Sequence, residues 1–288
     1  LQGTPIITQF VGGASNWTYR IEYENEDLIL RRPPAGTKAK SAHDMGREYR
    51  IQKALADLYP VPEMLAFCED ESVIGADFYI MKRINGIIPR ANLPKSLSLN
   101  EEEVKQLCSN VIDQMIELHQ IDIKSTGLDV LGKGEGYVKR QIDGWSKRFV
   151  QARTENVESF DIVMKWLQDN MPAKEYISLI HNDFRMDNVI LDPENPMKII
   201  GVLDWEMATI GDPLMDLGNS MAYWIQADDD IFMQSVRRQP THLSGMLTRQ
   251  EVVEYYSQKT GIKIENWTFY EIYGLFRLAV IAQQIYYR

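Results

Sequence analysis

Near Asn85 the hydrophobic pattern of this chain changes period, and that switch limits the architectures open to it. Before it, Trp17, Tyr19, Ile21 and Tyr23 alternate with polar neighbours, the repeat of a half-buried strand. After it, Val104, Leu107, Val111, Ile112, Met115 and Leu118 recur at three- and four-residue steps, one face of an amphipathic helix. Strands first and helices afterwards predict an α+β chain rather than an alternating parallel one. The first part reads as five strands, over 6–11, 17–23, 28–31, 64–68 and 78–81, with one helix over 44–58. Pro33 and Pro34 end the third strand because proline cannot donate to a sheet ladder. Pro60 and Pro62 stop the helix. The rest reads as helices over 98–118, 137–150 and 159–169 and near Pro213, Thr248 and Glu265. Ser98 and Glu101 have capping-box spacing. A small strand-like island interrupts the helices at 177–180, 189–191 and 197–203. The division falls at residues 1–84 and 85–288.

Composition removes several classes of partner. Thirty-one Lys and Arg against forty-one Asp and Glu leave a net charge of -10 over 288 residues. That balance argues against a broad face for nucleic-acid phosphates, although Arg31, Arg32, Lys38 and Lys40 make a small basic patch. No apolar run approaches the ~20 residues of a membrane span, so no membrane partner is expected. A basic stretch followed by a long apolar segment does not open the chain, so no secretory signal is expected; a start at Leu1 leaves a trimmed leader open. Cys68 and Cys108 form no C-x-x-C pair, which predicts a reducing, cytoplasmic setting. Four scattered histidines argue against structural zinc.

The strand-like island carries the chemistry. His181-Asn182-Asp183-Phe184-Arg185-Met186-Asp187-Asn188 fits H-x-D-x-x-x-x-N and runs into an apolar strand. Sixteen residues after Asn188, the apolar run Gly201-Val202-Leu203 ends in Asp204, followed by Trp205 and Glu206. Two strand ends that each present oxygen ligands suit phosphoryl transfer, because Mg²⁺ takes oxygen donors and shares them with phosphate, and a third group must receive the hydroxyl proton. The bare motif arises by chance in roughly one chain per hundred of this length; joined to a strand-borne Asp it is specific.

The segments 181–188 and 203–218 resemble the aminoglycoside phosphotransferase and choline kinase-like family of small-molecule kinases, and most of all the kinase-like domains sometimes fused to acyl-CoA dehydrogenases. The resemblance implies a bilobal, protein-kinase-like fold with a five-stranded antiparallel N-terminal lobe and a mainly helical C-terminal lobe. It implies Asp183 as the catalytic base, Asn188 and Asp204 as magnesium ligands, His181 as a brace of the loop, and Asp216 as a buried acceptor of loop N–H groups. Glu206 is either an outer metal ligand or a hydrogen-bond partner.

The same resemblance places nucleotide in the first lobe. Gly12, Gly13, Ser15 and Asn16 lie between two strands, where a phosphate-cradling turn belongs, though this motif alone is as often an ordinary hairpin turn. Arg31 stands where protein kinases carry lysine, with Glu48 as its partner. Ile29 shares a strand face with Arg31 and is placed against adenine. Met81, Lys82 and Ile84 match the strand and hinge beside the base. ATP, with GTP as an alternative, and Mg are the implied cofactors. The acceptor is a small-molecule hydroxyl, with hydroxyacyl-CoA a candidate. A catalytically silent nucleotide-binding module and a metal-dependent phosphohydrolase are the competing readings. Asp228-Asp229-Asp230 reads as a solvated loop in preference to a site for a cation, and the C-terminal tyrosines read as core.

Overall fold

The computed structural model describes residues 1–10, 16–34 and 44–287. In chain order the elements are β1 (Ile6–Gln9), β2 (Trp17–Glu22), β3 (Asp27–Arg32), α1 (Met45–Leu55), β4 (Met64–Cys68), α2 (Glu71–Ile74), β5 (Phe78–Lys82), α3 (Glu101–Gln120), α4 (Tyr137–Ala152), α5 (Asp161–Asp169), β6 (Ser178–Ile180), β7 (Val189–Leu191), β8 (Ile199–Val202), β9 (Thr209–Gly211), α6 (Pro213–Ala222), α7 (Ile231–Val236), α8 (Arg249–Thr260) and α9 (Trp267–Tyr287). They pack as two compact units, Leu1–Ile87 with Val189–Met207, and Ile88–Asn188 with Ala208–Arg288. No helix of the described residues is long and apolar enough to cross a membrane.

The first unit is built on an antiparallel five-stranded sheet in the order β1-β2-β3-β5-β4. Register sets its contents. Ile29 lies opposite Met81 and Arg31 opposite Tyr79. Ile29, Met45, Met64, Tyr79 and Met81 form the buried cluster under α1, with Tyr49 and Phe67 packed on it. Helix α1 begins at Asp44, whose carboxylate accepts from Arg47 N at 2.8 Å and stabilises the first turn. The hairpin of β7 and β8 belongs to this unit. Leu191 also pairs with Ile87, through N–H···O bonds of 2.9 and 2.8 Å in the two directions.

The second unit is helical around the two-stranded β6–β9 ladder. Its densest contact joins α6 and α9. Gly218 on one helix and Gly274 on the other permit it, since a β-carbon at either would collide with backbone of the facing helix. Helix α6 is buried along its whole length, and its start is fixed by Asp212, which accepts from Leu214 N at 2.8 Å.

Several boundaries differ from the sequence expectation. The capping box of α3 uses Asn100 and Glu103 in place of Ser98 and Glu101, so the helix starts two residues later than that pair would set it. Helices α2 and α7 are additional: Asp70 and Asp230 cap them, and each is too short to show a period. The three-residue β9 carries no alternating pattern long enough to read.

Candidate active site

Within the first unit a buried carboxylate organises the polar groups. Met45, Glu48, Gln52 and Leu55 form one buried stripe of α1, so Glu48 sits where an apolar residue would otherwise stand. A buried carboxylate needs partners, and Glu48 has three. Asn16 Nδ2 donates to Oε1 at 3.0 Å, the Tyr79 hydroxyl donates to Oε2 at 2.8 Å, and Arg31 Nη1 lies 3.4 Å from Oε2. Burial pushes the Glu48 pKa up, while Arg31 and the Tyr79 hydrogen bond pull it down.

Arg31 and Asn16 then tie Glu48 to the segment after β8. Arg31 Nη2 donates to Asp204 Oδ1 at 3.2 Å, and the Asn16 amide donates to Glu206 Oε2 at 3.1 Å. Burial works against the Arg31 charge, but Tyr79, Glu48, Asp204 and Glu206 outweigh it and hold the guanidinium pKa above its ordinary value. Arg31 and Asn16 thus bridge three carboxylates. Among the described residues Arg31 Nε is buried and has no hydrogen-bond partner. The Asp204 side chain is 36% exposed, and its backbone takes φ 70°.

Within the second unit a single buried side chain shapes the loop after β6. Asp216, on α6, accepts from His181 N and Asn182 N, both at 2.8 Å, and from His119 Nε2 at 3.1 Å. Burial pushes the Asp216 pKa up; the His119 hydrogen bond and nearby charge, with the loop N–H bonds, outweigh it and hold the carboxyl below its usual range. Asn182 adopts φ 64°, a conformation asparagine tolerates better than most residues. Its Oδ1 accepts from Tyr137 Oη at 3.1 Å and from Asn219 Nδ2 at 3.2 Å, and its carbonyl accepts from Arg277 at 2.8 Å. Ser220 Oγ donates to Phe184 O at 2.7 Å, and Gln239 Oε1 accepts from Met186 N at 2.7 Å. Asn182 and Asp204 are the two positive-φ residues other than glycine among the described residues. Strain of this kind concentrates at functional loops.

Asp183 stands on this scaffold with its side chain 19% exposed. Asn188 Nδ2 donates to both the carbonyl of Asp183, at 2.9 Å, and its Oδ2, at 3.3 Å. With the amide nitrogen so committed, the Asn188 oxygen is the atom left for a hard cation. Arg185 Nη2 lies 3.3 Å from Asp183 Oδ2 and its Nε 3.2 Å from Asp187 Oδ1, with the guanidinium 4.7 Å from the centre of the Tyr223 ring. His181 is fully buried, its Nδ1 accepts from Asp183 N at 3.3 Å, and its ring packs edge-on against Phe184.

The remaining sequence candidates fall as follows. Ile29 and Met81 are members of the buried cluster. Lys82 is exposed, pairs with Glu63 at 3.2 Å and donates its N–H to Glu63 O. Ile84 lies against Gly201. Gly12, Gly13 and Ser15, with Lys38 and Lys40, lie outside the described residues. Asp229 pairs with Arg249 at 2.6 and 2.9 Å, Asp230 caps α7, and Asp228 accepts from Gln226. Tyr256, Tyr270 and Tyr273 are buried, whereas Tyr286 and Tyr287 are exposed. Sequence reasoning missed His119, Tyr137, Gln239 and Arg277. Two left a signal: His119 continues the buried stripe of α3 four residues after Met115, and Arg277 is the one basic residue inside a largely apolar helix.

Residues 6–250 match the family described as the phosphotransferase enzyme family. The chain is 37% identical over 98% of its length to acyl-CoA dehydrogenase family member 10 of Mus musculus, where it spans 26% of that protein. It is 33% identical over 100% of its length to acyl-CoA dehydrogenase family member 11 of Homo sapiens, where it spans 37%. The chain therefore covers well under half of these relatives. Among solved structures, a Ralstonia eutropha protein provisionally described as an aminoglycoside phosphotransferase superposes with TM-score 0.83 at 31% identity, covering 100% of this chain and 84% of that one. The GDP complex of an aminoglycoside 2′-phosphotransferase-IIIa superposes with TM-score 0.62 at 15% identity, over 96% and 83% of the two chains, a likeness of fold.

Proposed function

The chain belongs to the phosphotransferase enzyme family, and from that premise we propose that it is a small-molecule kinase that moves the γ-phosphate of ATP to an alcohol, with Asp183 as the base. Family and fold support phosphoryl transfer in general. The finer reading rests mainly on one observation: Asn188 grips both the backbone and the carboxylate of Asp183. Base and amide are thereby one rigid unit, set on a loop clamped from beneath by Asp216.

Asp183 accepts the proton of the acceptor hydroxyl as the oxygen attacks the γ-phosphorus, and Arg185 keeps its carboxylate aimed. The buried clamp fixes that geometry before substrate arrives, which lowers the entropic part of the barrier. In the second unit Asn188, through its amide oxygen, and in the first unit Asp204, through its exposed carboxylate, are the residues with the donor chemistry that magnesium would take. Magnesium, when bound with the nucleotide, neutralises charge on the phosphate oxygens. Among the described residues no three His, Cys, Asp or Glu side chains are grouped to hold a metal by themselves, so nucleotide phosphates would complete the shell. Arg31, whose guanidinium Glu48 and Asp204 hold in place, is the cation of the first unit that would bind phosphate oxygen. GTP is the alternative donor, and a hydroxyl-bearing acyl-CoA is an acceptor that the relatives' names suggest.

The test is ADP release from Mg·ATP with a pool of alcohols, in wild type and in Asp183→Ala. Turnover should fall by about 10²–10⁴-fold, the usual contribution of a general base, while nucleotide binding by calorimetry persists. Undiminished turnover in the variant would overturn the assignment of Asp183.

A further inference from the structure

A strained turn of the first unit carries Asp204. Its φ of 70° lies in the left-handed region, where a residue other than glycine persists when its surroundings hold it there. Three contacts do so. Arg31 Nη2 donates to Asp204 Oδ1 at 3.2 Å. Trp205 is buried, its Nε1 donates to Val202 O at 2.9 Å, and its ring meets that of Tyr59 edge-on at 5.7 Å. Glu206 Oε2 accepts from Asn16 Nδ2 at 3.1 Å. The first contact occupies the carboxylate that a metal ion would use, and the second combines packing with a bond to the preceding strand. The bond from Asn16 is a polar tie to the rest of the unit that leaves Asp204 untouched.

Asn16 suits that work chemically. It is 4% exposed, and its amide nitrogen serves two carboxylates at once, Glu48 Oε1 at 3.0 Å and Glu206 Oε2. Glu48 therefore reaches the turn by two arms, through Arg31 to Asp204 and through Asn16 to Glu206. The second arm is neutral. Three carboxylates and one guanidinium leave these bonded groups with a formal charge of -2, the complement of a divalent cation. A lysine or arginine at position 16 would cancel part of that charge, whereas an amide brings two N–H donors and no charge.

We propose that Asn16 and Glu206 are positioning residues for Asp204. Their amide–carboxylate bond holds the turn 204–206 in the conformation that presents the Asp204 carboxylate to a divalent cation, and Glu206 is not itself a ligand of that cation. The inference rests on the kinase reading, in which the phosphate donor is a magnesium nucleotide, and goes beyond it by giving these two residues a role. Without the bond the turn relaxes toward unstrained backbone and takes the Asp204 carboxylate with it.

The test is ADP binding by calorimetry, with Mg²⁺ and with EDTA in its place. Glu206→Ala and Asn16→Ala should each weaken Mg·ADP binding by about tenfold or more, the weight of one hydrogen bond to a charged group, and leave binding in EDTA nearly unchanged. The double variant should be no worse than Asn16→Ala, because both changes remove the same bond. Glu206→Gln should restore most of the binding, since its amide oxygen accepts from Asn16 without offering a charge to a metal. Tyr79→Phe is the structural control: it takes a different hydrogen bond from Glu48 and should lower Tm with the Mg²⁺ effect intact. If Asn16→Ala fails to fold, Glu206→Gln against Glu206→Ala decides alone, because Glu206 is only half-buried. In turnover, the alanine variants should raise KM for Mg·ATP more than they lower kcat. Glu206→Gln as damaging as Glu206→Ala would make Glu206 a metal ligand and overturn the inference. An equal loss in Mg²⁺ and in EDTA, or no loss in either alanine variant, would also overturn it, and in all three cases the kinase reading stands. A wild type that binds ADP no more tightly with Mg²⁺ than with EDTA would sink the kinase reading, and this inference with it.

Discussion

Asp216→Ala removes the acceptor on which the catalytic loop is built. Two buried backbone N–H groups, of His181 and Asn182, lose 2.8 Å bonds and His119 loses a 3.1 Å partner. Each buried donor left unsatisfied costs about 1–3 kcal/mol, so the three together cost roughly 3–9 kcal/mol. That is a large share of the total stability of about 5–15 kcal/mol typical of a folded protein. In urea, followed by tryptophan fluorescence, the unfolding midpoint should drop with little change in slope. Asp216→Asn keeps the shape but exchanges one acceptor for a donor that faces an N–H, so it should recover only part of the loss. The pH dependence has a definite sign. The folded carboxyl is held below its usual range by His119 and the loop N–H groups, against burial, so its contribution is complete above the unfolded value of about 3.9. It is lost as pH falls through the lower folded value. The gap between wild type and Asp216→Ala should be constant at neutral pH and close under strongly acidic conditions. A loss below about 1 kcal/mol, the net value of one ordinary hydrogen bond, would refute the reasoning, as would a gap that widens in acid.

Further outcomes follow from the same contacts. Arg31→Met leaves Glu48 buried without its cation and should cost about 3–5 kcal/mol at neutral pH, whereas Arg31→Met with Glu48→Met should regain most of it. Because burial raises the Glu48 pKa, the single variant should regain stability as pH falls through that raised value; denaturation at pH 7 and 4.5 checks both. Gly274→Ala drives a methyl group into the backbone of α6 and should cost about 1–3 kcal/mol or more, the usual cost of overpacking, measured as a fall in Tm. Asn182→Gly keeps the φ of 64° available but removes the acceptor for Tyr137 and Asn219. It should cost about 1–3 kcal/mol and lower kcat more than it raises KM.

The sheet was readable because alternation along β2 and the prolines after β3 act over a few residues each. Helices α3, α4 and α5 were readable because their apolar stripes run for two turns or more. Helices α2 and α7 and strand β9 were not: each is six residues or fewer, below the length at which either period shows. Two overlapping capping boxes at the start of α3 could not be told apart by spacing, and Asn100 with Glu103 formed over Ser98 with Glu101.

For the candidate site the difference is one of locality. Arg31, Glu48 and Asp204 were singled out on motif position, and their side chains form one ionic chain in the first unit. The groups that hold the loop of Asp183 were largely invisible beforehand. His119, Tyr137, Gln239 and Arg277 sit on four separate stretches of chain, and nothing local distinguishes Gln239 or Tyr137 from any buried or solvated neighbour. Their role exists only once the helices pack. Asn16 shows the converse: a residue picked for a phosphate turn has an amide spent on Glu48 and Glu206.

The most direct measurement follows the γ-phosphate itself. With γ-labelled ATP, magnesium and the preferred acceptor, the label should be recovered in an acid-stable phosphoester of the acceptor hydroxyl, and Asp183→Asn should abolish that product while still binding nucleotide. Label released only as inorganic phosphate, or phosphoester formed at the wild-type rate by the variant, would contradict the account.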